Sequence, residues 1–299
     1  MSLDRDLLTA ALPGYELGGE LGRGGWGIVV AARHVALGRD VAVKQLPRAF
    51  AADTSARDRF VDEARIIAAL DHPHVVKVFD FVEHAGSWFI VMELVSGGTL
   101  WDRFCDRGLR ADESAAVVAA VCSALDAAHD QGVLHRDIKP ENVLVTADGS
   151  VRLSDFGIAR SLVSEGRHTR AGEVVGTPTY MSPEQALDAD LGPASDVYGL
   201  GVLFYELLSG RLPFPEAGSA AHQMLQHVNE VPIPLADTAP EVPPGLADVV
   251  MSALAKDPAH RPASAEDFGV AVARAASEGF GAGWLLSSGI DLRCGGRIQ

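Results

Sequence analysis

The spacing of apolar and polar positions changes period along this chain. From Gly18 to Val43 it has the pattern of strands. Gly22, Gly24, Gly25 and Gly27 lie in a turn, β-branched Ile28, Val29 and Val30 follow, and a second apolar run, Val41-Ala42-Val43, ends at Lys44. From Ser55 to Leu70 the period becomes helical, with Phe60, Ala64, Ile67 and Leu70 on one stripe. Asp71-His72-Pro73 stops that helix, because proline disfavours helical backbone just before it. Val75 to Phe81 and Trp88 to Leu94 then predict a strand pair around His84-Ala85-Gly86.

The pattern shifts at Ser96-Gly97-Gly98, and beyond it the chain reads as mainly helical. Val118, Val121, Leu125 and Ala128 make a stripe in an Ala-rich helix that ends near Gly132. Residues 197–208, VYGLGVLFYELL, are apolar on nearly every face, which predicts a helix buried all round. The expected architecture is α+β: an N-terminal extension over 1–14, a small strand-rich part over 15–94 and a larger helical part over 95–275. The tail over 276–299 carries no readable pattern.

Composition narrows the function. The 299 residues are 47% apolar and 22% charged, enough for one large domain or two lobes. The net charge is −15 and no cluster of five Lys or Arg occurs, which argues against nucleic acid or an anionic membrane as the partner. The three cysteines, Cys105, Cys122 and Cys294, are far apart, so no disulfide framework or zinc site is expected and a cytoplasmic location fits. The N-terminus lacks a secretory pattern, and no apolar run approaches the roughly 18 residues of a membrane span. The chain is read either as a cytoplasmic protein or as the cytoplasmic domain of a longer one. His72 and His74 flank a proline with no carboxylate cluster nearby, and a metal site there is not expected.

The glycine turn admits three readings: a dinucleotide fingerprint with Asp40 as the downstream acid, a phosphate-covering flap between antiparallel strands, or a plain hairpin turn. Ile-Val-Val after Gly27 starts a strand better than a helix, and no GK[ST] follows, which excludes a P-loop. Glu63 sits next to the apolar stripe of its helix and Lys44 ends an apolar strand. Each needs an opposite charge, and pairing with one another meets both needs.

The stretch VLHRDIKPENVLV, Val133 to Val145, sets His135, Arg136, Asp137, Lys139 and Glu141 between Val-Leu pairs that read as short buried strands. With LGRGGWGIV (21–29), VAVK (41–44), Glu63 in FVDEA, SDFG (154–157), GTPTYMSPE (176–184), DVYGLG (196–201) and Arg261 in HRPAS, all in order over residues 15–275, the chain resembles the bacterial eukaryotic-like (Hanks-type) serine/threonine protein kinases. One departure is Ser182-Pro183-Glu184 where the family has Ala-Pro-Glu.

The resemblance implies a bilobal protein-kinase fold: a small antiparallel β-sheet lobe with one helix, and a larger, mainly helical lobe. It implies ATP and Mg²⁺ as cofactors and proteins bearing Ser or Thr as substrates, with self-association for autophosphorylation. Asp137 matches the group that accepts the hydroxyl proton, Lys139 the cation beside the transferring phosphoryl group, and Asn142 and Asp155 the metal ligands. Lys44 with Glu63, and Thr177 beside Asp137, complete the catalytic set. Leu21, Gly22, Arg23, Gly24, Gly25, Trp26, Gly27, Ile28, Val29, Ala42, Met92, Glu93, Val95 and Leu144 match the nucleotide-binding positions. Ile67, Val78, His135 and Phe156 match an apolar column, Glu184 and Arg261 a buried ion pair, and Asp196 a cap for backbone N–H groups at its helix start and near Arg136. Arg136 and Thr169, in a segment that also holds Ser161 and Ser164, match a phosphorylation-ordered loop. A fold-retaining scaffold without catalysis and a small-molecule kinase remain as alternatives. The full catalytic set argues against the first and GTPTYMSPE against the second.

Overall fold

The computed structural model describes residues 3–25, 27–46, 54–156, 178–215, 217–294 and 298, with the side chains of 54–60 left out. The chain divides into two compact units. The first comprises Met1–Asp71, Val76–Val95 and Gly157–Gly176; the second comprises His72–Val75, Ser96–Phe156 and Thr177–Gln299.

The first unit is built on a five-stranded antiparallel sheet, β1 (Tyr15–Gly24), β2 (Gly27–His34), β3 (Arg39–Gln45), β4 (Val78–His84) and β5 (Ser87–Glu93), in the order β1-β2-β3-β5-β4. Helix α1 (Arg5–Ala11) precedes it and α2 (Thr54–Ala69) lies between β3 and β4. Alternation sorts the strands into two faces. Ile28, Val30, Val41, Val43, Phe89 and Val91 form one core with Leu8 and Leu12 of the N-terminal segment. Residues 1–14 therefore contribute a helix to this unit, beside the single helix expected in it. Asp4 caps that helix through the Leu7 N–H, and Arg5 donates to the Gly18 carbonyl at 2.7 Å.

The pair β4–β5 turns through Ala85 and Gly86, both at positive φ (49° and 70°), the geometry of a two-residue hairpin. The first of these strands starts at Val78 rather than Val75. Val75 instead bridges Leu153 in the second unit, because its segment is drawn into a different set of hydrogen bonds.

The second unit holds α3 (Leu100–Arg107), α4 (Ala111–His129), β6 (Val143–Val145), β7 (Val151–Leu153), α5 (Pro183–Ala186), α6 (Pro193–Ser209), α7 (Ala220–Asn229), α8 (Leu235–Thr238), α9 (Pro244–Ala253), α10 (Ala265–Phe280) and α11 (Trp284–Ser288). Helix α6 is buried from Ser195 to Leu207, as its uniformly apolar sequence predicts. Helix α4 was expected to show one stripe, yet it is buried continuously from Glu113 to Leu125. Its alanines let α10 and the other neighbours close on several sides. Gly269 of α10 shows how tightly: a Cβ there would stand 2.9 Å from the Cβ of Cys122. Val143–Val145 forms a strand, but Val133-Leu134 does not: Val133 is buried without ladder partners. Among the described residues no helix is long and apolar enough to cross a membrane.

Candidate active site

The sequence-predicted residues fall in two groups, one on each unit. On the first, β1 and β2 pair down to Gly24–Gly27, so the glycine turn is an antiparallel hairpin that continues into a strand. The dinucleotide fingerprint needs a helix there and is excluded. Gly27 has φ 136°, and a Cβ on it would stand 2.2 Å from the Gln45 carbonyl oxygen and 3.6 Å from Lys44 Cε. The bare glycine thus lets the hairpin lie directly on the end of β3, beside the lysine stem.

Register then selects one face. Val29 and Ile90 stand opposite Lys44, and Ala31 and Met92 opposite Ala42. Cross-strand partners share a face, so Val29, Ala42, Lys44 and Met92 line the side away from the Leu8 core. Ile28, assigned to the nucleotide pocket in the sequence, is instead fully buried in that core, since the period of two turns it to the other side of β2. Lys44 is 8% exposed. Leu21, Gly22, Arg23, Gly24 and Gly25 are exposed along the hairpin, and Arg23 pairs with Glu20 at 2.7 Å. Glu93 and Val95 are half-buried, and Glu93 N–H donates to the Lys77 carbonyl at 2.8 Å. Glu63 is half-buried on α2. Trp26 lies outside the described residues.

On the second unit the loop between α4 and β6 brings charge together. The Asp137 carboxylate meets Lys139 Nζ at 3.0 Å and accepts from Asn142 Nδ2 at 3.1 Å through the same oxygen, Oδ2. Asn142 Nδ2 also donates to the Asp137 carbonyl at 2.7 Å, so the amide nitrogen is spent on Asp137 and Oδ1 is the side chain's acceptor. The Asn142 carbonyl in turn accepts from Ser154 N (2.8 Å) and Ser154 Oγ (3.0 Å), tying the loop to the residue before Asp155. An amide oxygen and a carboxylate make an all-oxygen donor set of the kind a hard Mg²⁺ ion takes. Leu144, half-buried in β6, bridges Thr99.

Two residues beside these groups hold left-handed backbone, Arg136 at φ 63° and Asp155 at φ 58°. For non-glycine residues that costs about 1–3 kcal/mol each and persists only where neighbours enforce it. Asp196, from α6, does the enforcing at Arg136. Its carboxylate accepts from His135 N (2.8 Å), Arg136 N (2.7 Å) and the His129 ring (2.8 Å). The sequence expectation also had it cap its own helix, but that start belongs to Gly192 and Ser195. Burial pushes the Asp196 carboxyl up, and the His129 and His135 interactions outweigh this and hold it below the usual range. His135 is fully buried. Burial lowers its pKa, its Nε2–H donates to the Ser154 carbonyl at 2.8 Å, and Phe156 packs edge-on at 4.9 Å.

Glu184 and Arg261 form the expected buried pair, bidentate at 2.7 and 2.9 Å. His129 and Gln185 were not legible as site residues: His129 meets Asp196 67 residues on, and Gln185 Nε2 donates to the Arg136 carbonyl at 2.9 Å across 49 residues, separations that no local spacing marks. His72 and His74 use both ring nitrogens on protein groups, His72 on Ser123 Oγ and His74 N, and His74 on the Val151 carbonyl and Arg293 N. Thr177, Thr169, Ser161 and Ser164 lie outside the described residues.

The family described as protein kinase domain matches residues 15–270. The serine/threonine-protein kinase PknB of Mycobacterium leprae is 42% identical over 252 residues, which cover 83% of this chain and 40% of that protein. The chain therefore spans two-fifths of that relative's length. The kinase domain of Mycobacterium tuberculosis PknI aligns with a TM-score of 0.71 at 32% identity, covering 88% of this chain and 96% of the other. Rad53 1–466 in complex with AMP-PNP aligns with a TM-score of 0.69 at 26% identity, covering 85% of this chain and 64% of that one.

Proposed function

Because this chain belongs to the protein kinase family, we propose that it transfers the γ-phosphoryl group of ATP to serine and threonine hydroxyls of proteins. The observation that supports this most is the Asp137–Lys139–Asn142 cluster, in which an ammonium and an amide converge on one carboxylate oxygen within 3.1 Å. Phosphoryl transfer is chiefly positioning and charge neutralisation, and this cluster offers both. Asp137 accepts the proton of the attacking hydroxyl. Lys139 stands beside it to balance charge on the transferring group, and Thr177 orients the pair. Asn142 and Asp155 would hold Mg²⁺, which would supply charge neutralisation for phosphate oxygens. Lys44, paired with Glu63, holds phosphate oxygens beneath the glycine hairpin. Val29, Ala42, Met92 and Leu144 supply apolar contact for a base, with backbone groups of Glu93 and Val95 at its edge.

Arg136 receives a phosphate on Thr169 after autophosphorylation between two copies of the chain. Thr169→Ala would then lower activity; full activity in that variant removes this step from the scheme.

The main test compares transfer of labelled phosphate from ATP to a basic protein by the wild type and Asp137→Asn. A general base contributes about 10²- to 10⁴-fold, and a loss of that order is expected. A variant as active as the wild type would reject Asp137 as the base, and a wild type that binds ATP without transfer would favour a catalytically silent scaffold.

A further inference from the structure

The segment Gly281–Cys294 follows the last long helix and folds back on the second unit. Trp284 is buried, and Arg110 donates to the Ser287 carbonyl at 2.5 Å. Asp291 then forms a parallel bridge with Ser150, at the turn before β7. That turn is shaped for it: a Cβ on Gly149 would stand 2.9 Å from the Gly289 carbonyl oxygen. Two residues on, the Arg293 backbone N–H donates to His74 Nε2 at 2.9 Å.

His74 is fully buried, and its other ring nitrogen meets the Val151 carbonyl at 2.8 Å. A carbonyl can only accept and an N–H can only donate, so both contacts require the neutral ring with its proton on Nδ1. The His74 carbonyl in turn accepts the Leu153 N–H at 2.8 Å, and Val75 bridges Leu153. Hydrogen bonds therefore run from Arg293 through His74 to both ends of β7, the strand that leads into Ser154 and Asp155.

We propose that Gly281–Cys294 is a positioning strap: through the Arg293 N–H it locks the His74 ring, and His74 locks the strand that delivers Asp155. The assignment rests on the role proposed above for Asp155. His74 is a positioning residue, not a catalytic one. The strap acts by backbone, so its side-chain chemistry at 293 matters little even though Arg293 also pairs with Asp291 and Asp148.

The experiment uses the full chain. Arg293→Pro removes the N–H, whereas Arg293→Ala keeps it and deletes only the ion pairs. One backbone hydrogen bond is worth about five- to tenfold in a local opening equilibrium. Amide exchange at Leu153, Ser154 and Asp155 is expected to quicken by about that factor in Arg293→Pro and to stay unchanged in Arg293→Ala. The Mg²⁺ concentration for half-maximal phosphate transfer is expected to rise in parallel, measured well below the melting temperature. Unchanged exchange in Arg293→Pro, or equal change in both variants, overturns the proposal. If Arg293→Pro does not fold, nitrogen NMR of the wild-type His74 ring at neutral pH decides: the Nδ1–H form supports the strap, and the Nε2–H or charged form overturns it. Asp155→Asn separates the two readings. If that variant retains Mg²⁺-dependent transfer, the role of Asp155 fails, while exchange and the ring spectrum still judge the strap.

Discussion

The Asp196 carboxylate accepts the backbone N–H of Arg136 at 2.7 Å across 60 residues of sequence. A buried charge on α6 thereby fixes the backbone of the residue just before the proposed base. Its second oxygen takes His135 N and the His129 ring, so one side chain ties two backbone groups of the loop to the end of α4. Such charge-assisted bonds are the strong ones in a water-poor interior.

Asp196→Asn places an amide donor against backbone donors. The expected cost is about 2–3 kcal/mol of stability and at least about a tenfold fall in kcat/KM, read by urea unfolding and phosphate transfer. The Asp196 pKa is lowered on folding from its ordinary 3.8, so its stabilisation is complete above that value and is lost as pH falls through the lowered folded one. The substituted protein should therefore lose less stability than the wild type as pH falls below 3.8.

A milder acid dependence is expected from His227. Burial, then nearby Lys256, lowers its pKa from 6.5 to about 4, while its Nδ1 meets the Tyr198 hydroxyl at 3.0 Å. The folded protein resists protonation there, so stability is full above pH 6.5 and falls as pH drops toward 4, by about 3 kcal/mol at most. His72 acts with the same sign. His227→Gln should flatten this limb in unfolding curves taken from pH 7 to 4.

Arg261→Ala strands the Glu184 carboxylate in the interior. Removing one partner of a buried pair costs about 3–5 kcal/mol, and the melting temperature should fall accordingly. The double variant Arg261→Ala, Glu184→Gln should recover part of the loss, because no bare charge is left behind.

Gly27→Ala forces a methyl group to within 2.2 Å of the Gln45 carbonyl at a backbone angle that side chains resist. The hairpin must lift from β3. Isothermal titration should show ATP affinity reduced by about tenfold or more, while the helical unit keeps its protection from exchange.

Leu8 is fully buried against the sheet face opposite Lys44. Leu8→Ala is expected to cost about 2–5 kcal/mol in chemical unfolding. An unchanged stability would place α1 outside the folded unit.

Apolar spacing, with β-branched residues and turn glycines, foretold a strand-rich first part, α2 and the buried α6, because burial on one face or on all faces writes itself into apolar spacing. Motif order foretold the loop of Asp137, Lys139 and Asn142, since chemistry at close range needs fixed residue types at short separations. Other features left no local trace. Leu8 sits in an acidic N-terminal stretch whose pattern is too short to declare a helix, and only packing on the sheet makes it one. Ile28 shares its strand with Val29, and only the register puts one in the core and the other beside Lys44.

The sequence by itself determined the strand-rich and helical parts, α2 and α6 among them, and the motif residues of the proposed phosphoryl transfer, because those depend on periodicity and on neighbours a few residues apart. Tertiary structure decided which distant groups hold them. Asp196 reaching Arg136, Glu184 meeting Arg261, and Arg293 closing on His74 are long-range hydrogen bonds. Each partner is an ordinary polar residue until folding removes water from around it.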